Sequence, residues 1–219
     1  MNLSKIEWTD RTWNPLTGCS RRCEYCYAER MAKRLAGRYG YSKDDSFQVT
    51  FHSNRLHEPS KVKKGRKIFT CSMGELFDPK SHYGWIGLVF AEMRRNPQHT
   101  FQVLTKQAIV LHQFFFPENL WVGISQDGRY TRLDDIDFLR RIDAKVKFIS
   151  FEPLLRPILP DLEGIDWIII GARTGSKPFV PPKEWVDTLI EIARAANVPV
   201  FLKDNLMRSE QIREWPKVK

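Results

Sequence analysis

Ile68-Phe69-Thr70-Cys71-Ser72, followed by Met73-Gly74-Glu75, opens the part of this chain in which the fold is easiest to read. An apolar run of strand length, closed by a glycine turn, suits a β-strand buried on both faces. The same unit recurs outward from it. Residues 80–96 carry Trp85, Leu88, Val89 and Met93 at helical spacing, residues 101–105 form the next strand, and residues 107–116 read as a helix. Leu120–Ser125 is a strand, and residues 131–142 are a helix with Leu133, Ile136 and Leu139 on one face. Strands at 146–152 and 167–171, a helix at 183–196 and a strand at 198–203 complete the rhythm. Strands alternating with helices predict parallel βα units joined by right-handed crossovers. The expected fold is α/β, a single-domain partial (β/α)6 TIM-like barrel with an extra strand. A flat doubly wound sheet is the alternative.

Upstream, short extended pieces at 6–9 and 12–14 supply a first strand, and Pro15 and Gly18 turn the chain into a cysteine loop. Ala28, Met31, Ala32 and Leu35 give residues 27–36 helical period, and Gly37 is a stop signal. Residues 38–66 read as an irregular basic insert with an alternating strand at 47–52 and a short helix and linker at 55–66. Within and after it, Lys61, Lys63, Lys64, Arg66 and Lys67 make a candidate phosphate-contacting patch, the competing reading being a solvated loop. The 219 residues are expected to be one domain: an N-terminal strand, cysteine loop and first helix over 1–37, the insert over 38–66, and βα repeats over 67–219.

The hydrophobic fraction of 42% is that of a globular chain. No apolar run approaches the ~20 residues of a membrane span, and Met1-Asn2-Leu3-Ser4-Lys5-Ile6-Glu7 lacks an apolar signal-peptide core. These features predict a cytoplasmic protein without a membrane partner. The formal net charge of +9 favours an anionic partner, such as nucleic acid or a phosphorylated substrate. Solvated helix faces bearing Arg30, Lys33, Arg34 and Arg38 account for part of that excess.

The chemistry concentrates in Gly18-Cys19-Ser20-Arg21-Arg22-Cys23-Glu24-Tyr25-Cys26-Tyr27-Ala28-Glu29-Arg30. The spacing is C-x3-C-x2-C. Three thiolates on one short loop can wrap one face of a cube-shaped iron–sulfur cluster, for which thiolate is the soft ligand required. Three ligands for four irons leave one iron open to a small molecule, as in open catalytic metal sites. A structural zinc site is the competing reading, with His52 or Cys71 as the fourth ligand. A disulfide framework fits a small secreted chain better than this one. Cys71, inside an apolar strand, reads as a buried inert thiol.

The cysteine spacing, with an aromatic before the third cysteine, resembles the cluster-binding signature of the radical S-adenosylmethionine (radical SAM) superfamily. The resemblance implies a [4Fe-4S] cluster on Cys19, Cys23 and Cys26, with S-adenosyl-L-methionine chelated to the unique iron and Tyr25 against its adenine. Met73-Gly74-Glu75 stands where the superfamily has a Gly-Gly-Glu type motif, one glycine short, so Gly74 and Glu75 are expected at the methionine amino group. By position, Ser125 and Gln126 are candidates for ribose and carboxylate contacts, Thr105 and Lys106 for the carboxylate, and Gly171 for a backbone contact to adenine. At finer grain, the run from Glu7 to Cys19, with Ser72-Met73, Leu76-Phe77, Ser150-Phe151-Glu152-Pro153-Leu154 and Lys203-Asp204-Asn205, resembles a phage-associated branch of that superfamily. That branch often has more residues between its first two cysteines.

Active sites of βα barrels gather at the C-terminal strand ends. Here Glu75, Lys106, Asp127, Glu152, Arg173 and Lys203-Asp204 follow successive apolar runs. Lys106, Glu152, Arg173, Lys203 and Asp204 are the expected substrate contacts, with structural ion pairs as the competing reading. The resemblance implies an electron donor such as flavodoxin or ferredoxin. The charge makes nucleic acid or a nucleotide the favoured substrate class, with Trp8 or Trp13 as stacking candidates if exposed. A non-catalytic iron–sulfur or zinc nucleic-acid-binding protein is the rival reading, and an electron-transfer or scaffold protein another.

Overall fold

The computed structural model describes residues 1–175 and 177–217. The chain divides into two compact units, one made of Met1–Thr105 and Phe116–Leu120, the other of Lys106–Phe115 and Trp121–Lys219. Both are mixed α/β and mostly parallel.

In the first unit, strands β1 (Asn2–Leu3), β2 (Arg11–Trp13), β5 (Lys67–Thr70) and β6 (Thr100–Thr105) lie side by side in that order. β1 is antiparallel to β2, and the others are parallel, with Trp13 opposite Thr70 and Lys67 opposite Thr100. Strands β3 (Leu16–Thr17) and β4 (Thr50–Phe51) form a separate antiparallel pair. The expected strand at 6–9 is instead a turn. Ser4 Oγ accepts from the Ile6 N–H at 2.9 Å and Thr9 N–H donates to the Ile6 carbonyl at 3.2 Å, so local hydrogen bonds replace a ladder.

Helix α1 (Tyr27–Arg34) starts because Cys26 caps it, its Sγ accepting from the Glu29 N–H at 3.4 Å. Glu29 in the first turn and Lys33 and Arg34 in the last complement the helix dipole. Ala28 and Ala32 form its buried face. Helix α2 (Tyr83–Arg95) covers the sheet with Ile86, Val89, Phe90 and Met93.

Trp8 and Trp13 are 2% and 0% exposed. They are core residues, which removes them as base-stacking platforms. Trp13 also donates its indole N–H to the Arg55 carbonyl at 2.9 Å.

In the second unit, β7 (Leu120–Ser125), β8 (Val146–Phe151), β9 (Trp167–Ile170) and β10 (Val200–Leu202) run parallel in chain order. Each is buried along nearly its whole length, as strands covered on both faces are. Helix α4 (Lys183–Ala195) matches its expected span within a residue.

Two helices in this part of the chain are well short of the expected spans 107–116 and 131–142. Residues 108–113 form a 3-10 turn, because its buried side chains, Ala108 and Leu111, stand three apart. Helix α3 (Asp135–Arg140) starts late because Asp127 captures the preceding backbone. Its carboxylate accepts from the N–H groups of Arg129 at 2.8 Å and Tyr130 at 2.6 Å, holding residues 127–131 in a side-chain-capped loop. No helix among the described residues is long and apolar enough to cross a membrane.

Candidate functional site

In the first unit the cysteine loop is seated on the turn that follows β5. Gly18 and Gly74 form a parallel bridge. Gly18 N–H donates to the Met73 carbonyl at 3.0 Å, and Glu75 N–H donates to the Gly18 carbonyl at 3.0 Å. Neither position tolerates a side chain. A Cβ on Gly74 would lie 2.8 Å from the Gly18 nitrogen, and one on Gly18, whose φ is +86°, would lie 2.0 Å from the Gln48 carbonyl oxygen. On the other side, Cys19 N–H donates to the Phe47 carbonyl at 3.2 Å.

Side chains fix both partners of that bridge. Asn14 Oδ1 accepts from the Met73 N–H at 2.9 Å and the Ser72 hydroxyl at 3.2 Å, so it shapes the 72–74 turn. Asp78, 2% exposed, accepts from Ser20 N–H at 2.7 Å, the Ser20 hydroxyl at 2.8 Å and Lys80 N–H at 2.9 Å. It ties the loop, one residue after Cys19, to the segment leading into α2. The Tyr27 hydroxyl donates to the Ser72 carbonyl. The Tyr25 carbonyl accepts from Arg30 at 3.2 Å.

All four cysteines are free thiols. Cys19, Cys23 and Cys26 are half-buried and Cys71 is buried. Cys19, Cys26 and Met73 pack against one apolar cluster of Ala28, Ala32, Tyr41 and Phe47. Burial pushes the Cys19 thiol up to about 12, helped by the charges of Glu75 and Asp78 and opposed by the backbone N–H groups of Arg21 and Arg22. Burial also raises Cys26, against the N–H groups of Glu29 and Ala28. Amide donors aimed at sulfur are what stabilise thiolates in iron–sulfur loops, and a bound metal centre inverts the effect of burial on a coordinating thiol. The donor chemistry of this loop therefore fits a soft-metal cluster: three free thiols, backbone N–H groups at two of them and an apolar bed beneath. Among the described residues, no three His, Cys, Asp or Glu side chains are grouped so as to hold a metal ion as they stand. Binding would have to draw the three sulfurs together.

Of the candidate fourth ligands for zinc, the His52 ring is hydrogen-bonded elsewhere and the Cys71 thiol is buried. His52 Nε2 is 2.8 Å from the Thr17 hydroxyl, and burial, with Arg55 nearby, lowers its pKa to about 4. Cys71 donates its N–H to the Trp13 carbonyl at 2.8 Å and its thiol is pushed up by burial. Beside the loop, a half-open pocket of about 300 Å³ is lined by Arg22, Lys33, Lys43, Asp44, Asp45 and Phe47 among others. Within its lining Arg22 pairs with Asp45 at 2.5 Å.

Glu75 is buried, and its carboxylate accepts from the Phe77 N–H at 3.1 Å. Thr105 is buried at the end of β6.

In the second unit a polar group forms where β8, β9 and β10 end. Glu152 pairs with Lys203 Nζ, and the side chains are 24% and 14% exposed. Gly171 makes room for this carboxylate, since a Cβ there would sit 2.9 Å from its carboxyl carbon. Asn205 clamps the strand next to it. Its Oδ1 accepts from Ala172 N–H at 2.9 Å, and its Nδ2 donates to the Ala172 carbonyl at 3.2 Å and reaches Glu152 at 3.4 Å. Sequence reasoning passed over Asn205 as a site residue, although Lys203-Asp204-Asn205 carried it. An amide following a charged residue at a strand end was the available signal.

Of the residues expected to act together in this unit, Glu152, Gly171 and Lys203 meet. Asp204 is paired with Arg213, its side chain 66% exposed, and stands outside that group. Arg173 pairs its backbone with Phe179 at 3.0 Å in both directions. Gln126 donates its side-chain N–H to the Arg132 carbonyl at 2.9 Å and its backbone N–H to the Ser150 carbonyl at 2.9 Å. Ser125 ends β7 opposite Ser150. Lys106 is half-buried just after β6.

The arrangement defines a parallel α/β protein with a three-cysteine loop seated on the turn that follows a strand. The chain belongs to the family described as a protein of unknown function, DUF5131, whose model matches residues 3–215. No curated protein and no solved structure matches it.

Proposed function

We propose that this chain is a radical SAM enzyme, in which Cys19, Cys23 and Cys26 hold a [4Fe-4S] cluster. The observation that carries the reading is the seating of the cysteine loop on the Met73-Gly74-Glu75 turn, with backbone N–H groups at Cys19 and Cys26. When bound, the cluster would supply one-electron cleavage of S-adenosyl-L-methionine, giving methionine and a 5′-deoxyadenosyl radical that takes hydrogen from a substrate.

The chain's own part is binding, orientation and exclusion of water. The Gly74 backbone and the Glu75 carboxylate would receive the methionine amino group. Tyr25 would lie against adenine, and Thr105 would contribute a further cofactor contact within the same unit. The Glu152–Lys203 pair, held by Asn205, would orient substrate through charge, with Lys106, Arg173 and Asp204 further out. A partial (β/α)6 barrel is the frame we propose, supported by the parallel strand order inside each unit. The net charge of +9 supports an anionic substrate, of which nucleic acid or a nucleotide is the favoured class. Flavodoxin or ferredoxin would serve as electron donor.

The test is anaerobic reconstitution with iron and sulfide, reduction, addition of S-adenosyl-L-methionine, and assay for 5′-deoxyadenosine. The reading expects its formation by the parent chain and its loss in C19S, C23S and C26S. A reconstituted cluster whose spectrum ignores S-adenosyl-L-methionine, with no 5′-deoxyadenosine formed, would leave only the non-catalytic reading.

A further inference from the structure

The first unit carries a second feature, at the opposite ends of the strands from the cysteine loop. β5 begins at Lys67, α2 ends at Arg95 and β6 begins at Thr100, so the segment 59–66 and the end of α2 share one edge. Lys61, Lys63, Lys64, Arg94 and Arg95 are exposed there, and Arg66 is half-buried. No Asp or Glu occurs in residues 59–74 or 93–105. The side chains of Lys61, Lys63, Lys64 and Arg66 make no ion pair among the described residues.

The nearby carboxylates are spent. Glu58 pairs with the Met1 ammonium at 2.6 Å. Glu92, 1% exposed, accepts from the Ser60 hydroxyl at 2.7 Å and Asn96 Nδ2 at 3.0 Å, with His57 at 2.8 Å.

Those same bonds make the basic segment a built platform. Besides the Glu92–Ser60 bond, Arg66 N–H donates to His99 Nδ1 at 3.2 Å, and the Arg66 carbonyl accepts from Thr100 N–H at 3.0 Å. Lys67 N–H donates to Asp10 at 2.8 Å. Gly65 presses so close that a Cβ would stand 2.6 Å from the Gln98 carbonyl oxygen. Like charges gathered on one short anchored segment with no carboxylate in it repel one another. An anionic ligand removes that repulsion.

We infer that Lys61, Lys63, Lys64 and Arg66 form a binding surface for the phosphate backbone of a double-stranded nucleic acid. Residues 58–67 contain no Phe, Tyr or Trp, so base stacking, on which single-strand binders depend, has no platform here. Val62, the one aliphatic side chain longer than Ala in residues 60–67, is half-buried, so the patch offers no apolar wedge for a lipid surface. Contact is to phosphate and is sequence-independent. The inference rests on this edge alone and not on the cysteine loop.

The test titrates the full chain with short labelled DNA and RNA duplexes between 50 and 200 mM salt. The comparison is K61Q/K63Q/K64Q/R66Q, three exposed positions and one half-buried, with an unchanged unfolding transition as the check that the fold is intact. The all-arginine or all-lysine version of the same four positions is the rescue variant. Loss of four phosphate contacts is expected to flatten the slope of log K against log salt by about 3 to 4, and to weaken binding at least about tenfold at the low-salt end, with rescue restoring both. Absence of salt-dependent duplex binding by the parent chain, or an unchanged slope in the glutamine variant, would overturn the inference. So would anionic vesicles that bind through these four residues where duplexes do not. None of these outcomes depends on cluster content, so the radical reading stands or falls separately.

Discussion

Gly18 lies so close to Gly74 that it leaves no room for a side chain there, Gly74's absent Cβ falling 2.8 Å from the nitrogen and from the oxygen of Gly18. This contact joins the cysteine loop to the end of β5. G74A therefore pushes the loop off its seat. The expected result is a loss of about 1–3 kcal/mol in denaturant unfolding, typical of overpacking at a site that cannot relax. Iron retained after reconstitution should fall with it. An unchanged stability and iron content would mean the bridge is incidental.

Asp78 is the second fastener. Replacing it by Asn keeps the shape and removes the charge that the Ser20 N–H and hydroxyl donate to. Hydrogen bonds to a charged group contribute about 1.5–3 kcal/mol, so D78N should cost stability in that range. Thiol labelling should quicken at Cys19, because the loop opens and a charge that raises that thiol is gone. Cys71, buried and with its thiol raised by burial, should label only on unfolding.

His52 gives the first unit a pH dependence of definite sign. Its folded pKa is lowered from 6.5 to about 4, so the unfolded chain binds the extra proton first. The neutral ring's stabilising contribution is whole above about pH 6.5 and is lost as pH falls toward 4, by up to about 3 kcal/mol. Unfolding measured across that window should show the decline, and H52Q should flatten it. A decline that survives H52Q would assign it to the carboxylates.

The Glu152–Lys203 pair gives the second unit its test. K203M leaves a partly buried carboxylate without its partner, at a cost of about 1–3 kcal/mol. G171A should act on the same carboxylate by displacing it. Turnover lost beyond what the lost stability accounts for would mean the pair serves substrate; activity lost only in proportion to stability would mean it is structural.

The strands of the βα region were legible because a parallel strand buried on both faces is written as an unbroken apolar run. Leu120–Ser125 reads straight from sequence to structure. The helices were legible where one face is apolar, as in α1 and α4. Legibility failed where a polar side chain captures the backbone, as Asp127 does before α3 and Ser4 does at 6–9. Hydrophobic periodicity is blind to such bonds. The cysteine loop could be picked out by spacing. Its supports, Asn14 and Asp78, could not, because they act across 59 and 58 residues of chain. Trp8 and Trp13 show the limit of composition, since an aromatic count does not say which rings the core has taken.

The central claim is that Cys19, Cys23 and Cys26 hold an iron–sulfur cube with one iron left for a sulfonium cofactor. Metal and sulfide analysis of protein prepared without oxygen, with electron paramagnetic resonance before and after S-adenosyl-L-methionine, tests it most directly. The account predicts about four iron and four sulfide per chain and a reduced-cluster signal that changes when the cofactor binds. Zinc in place of iron, or a cluster signal indifferent to the cofactor, would contradict it.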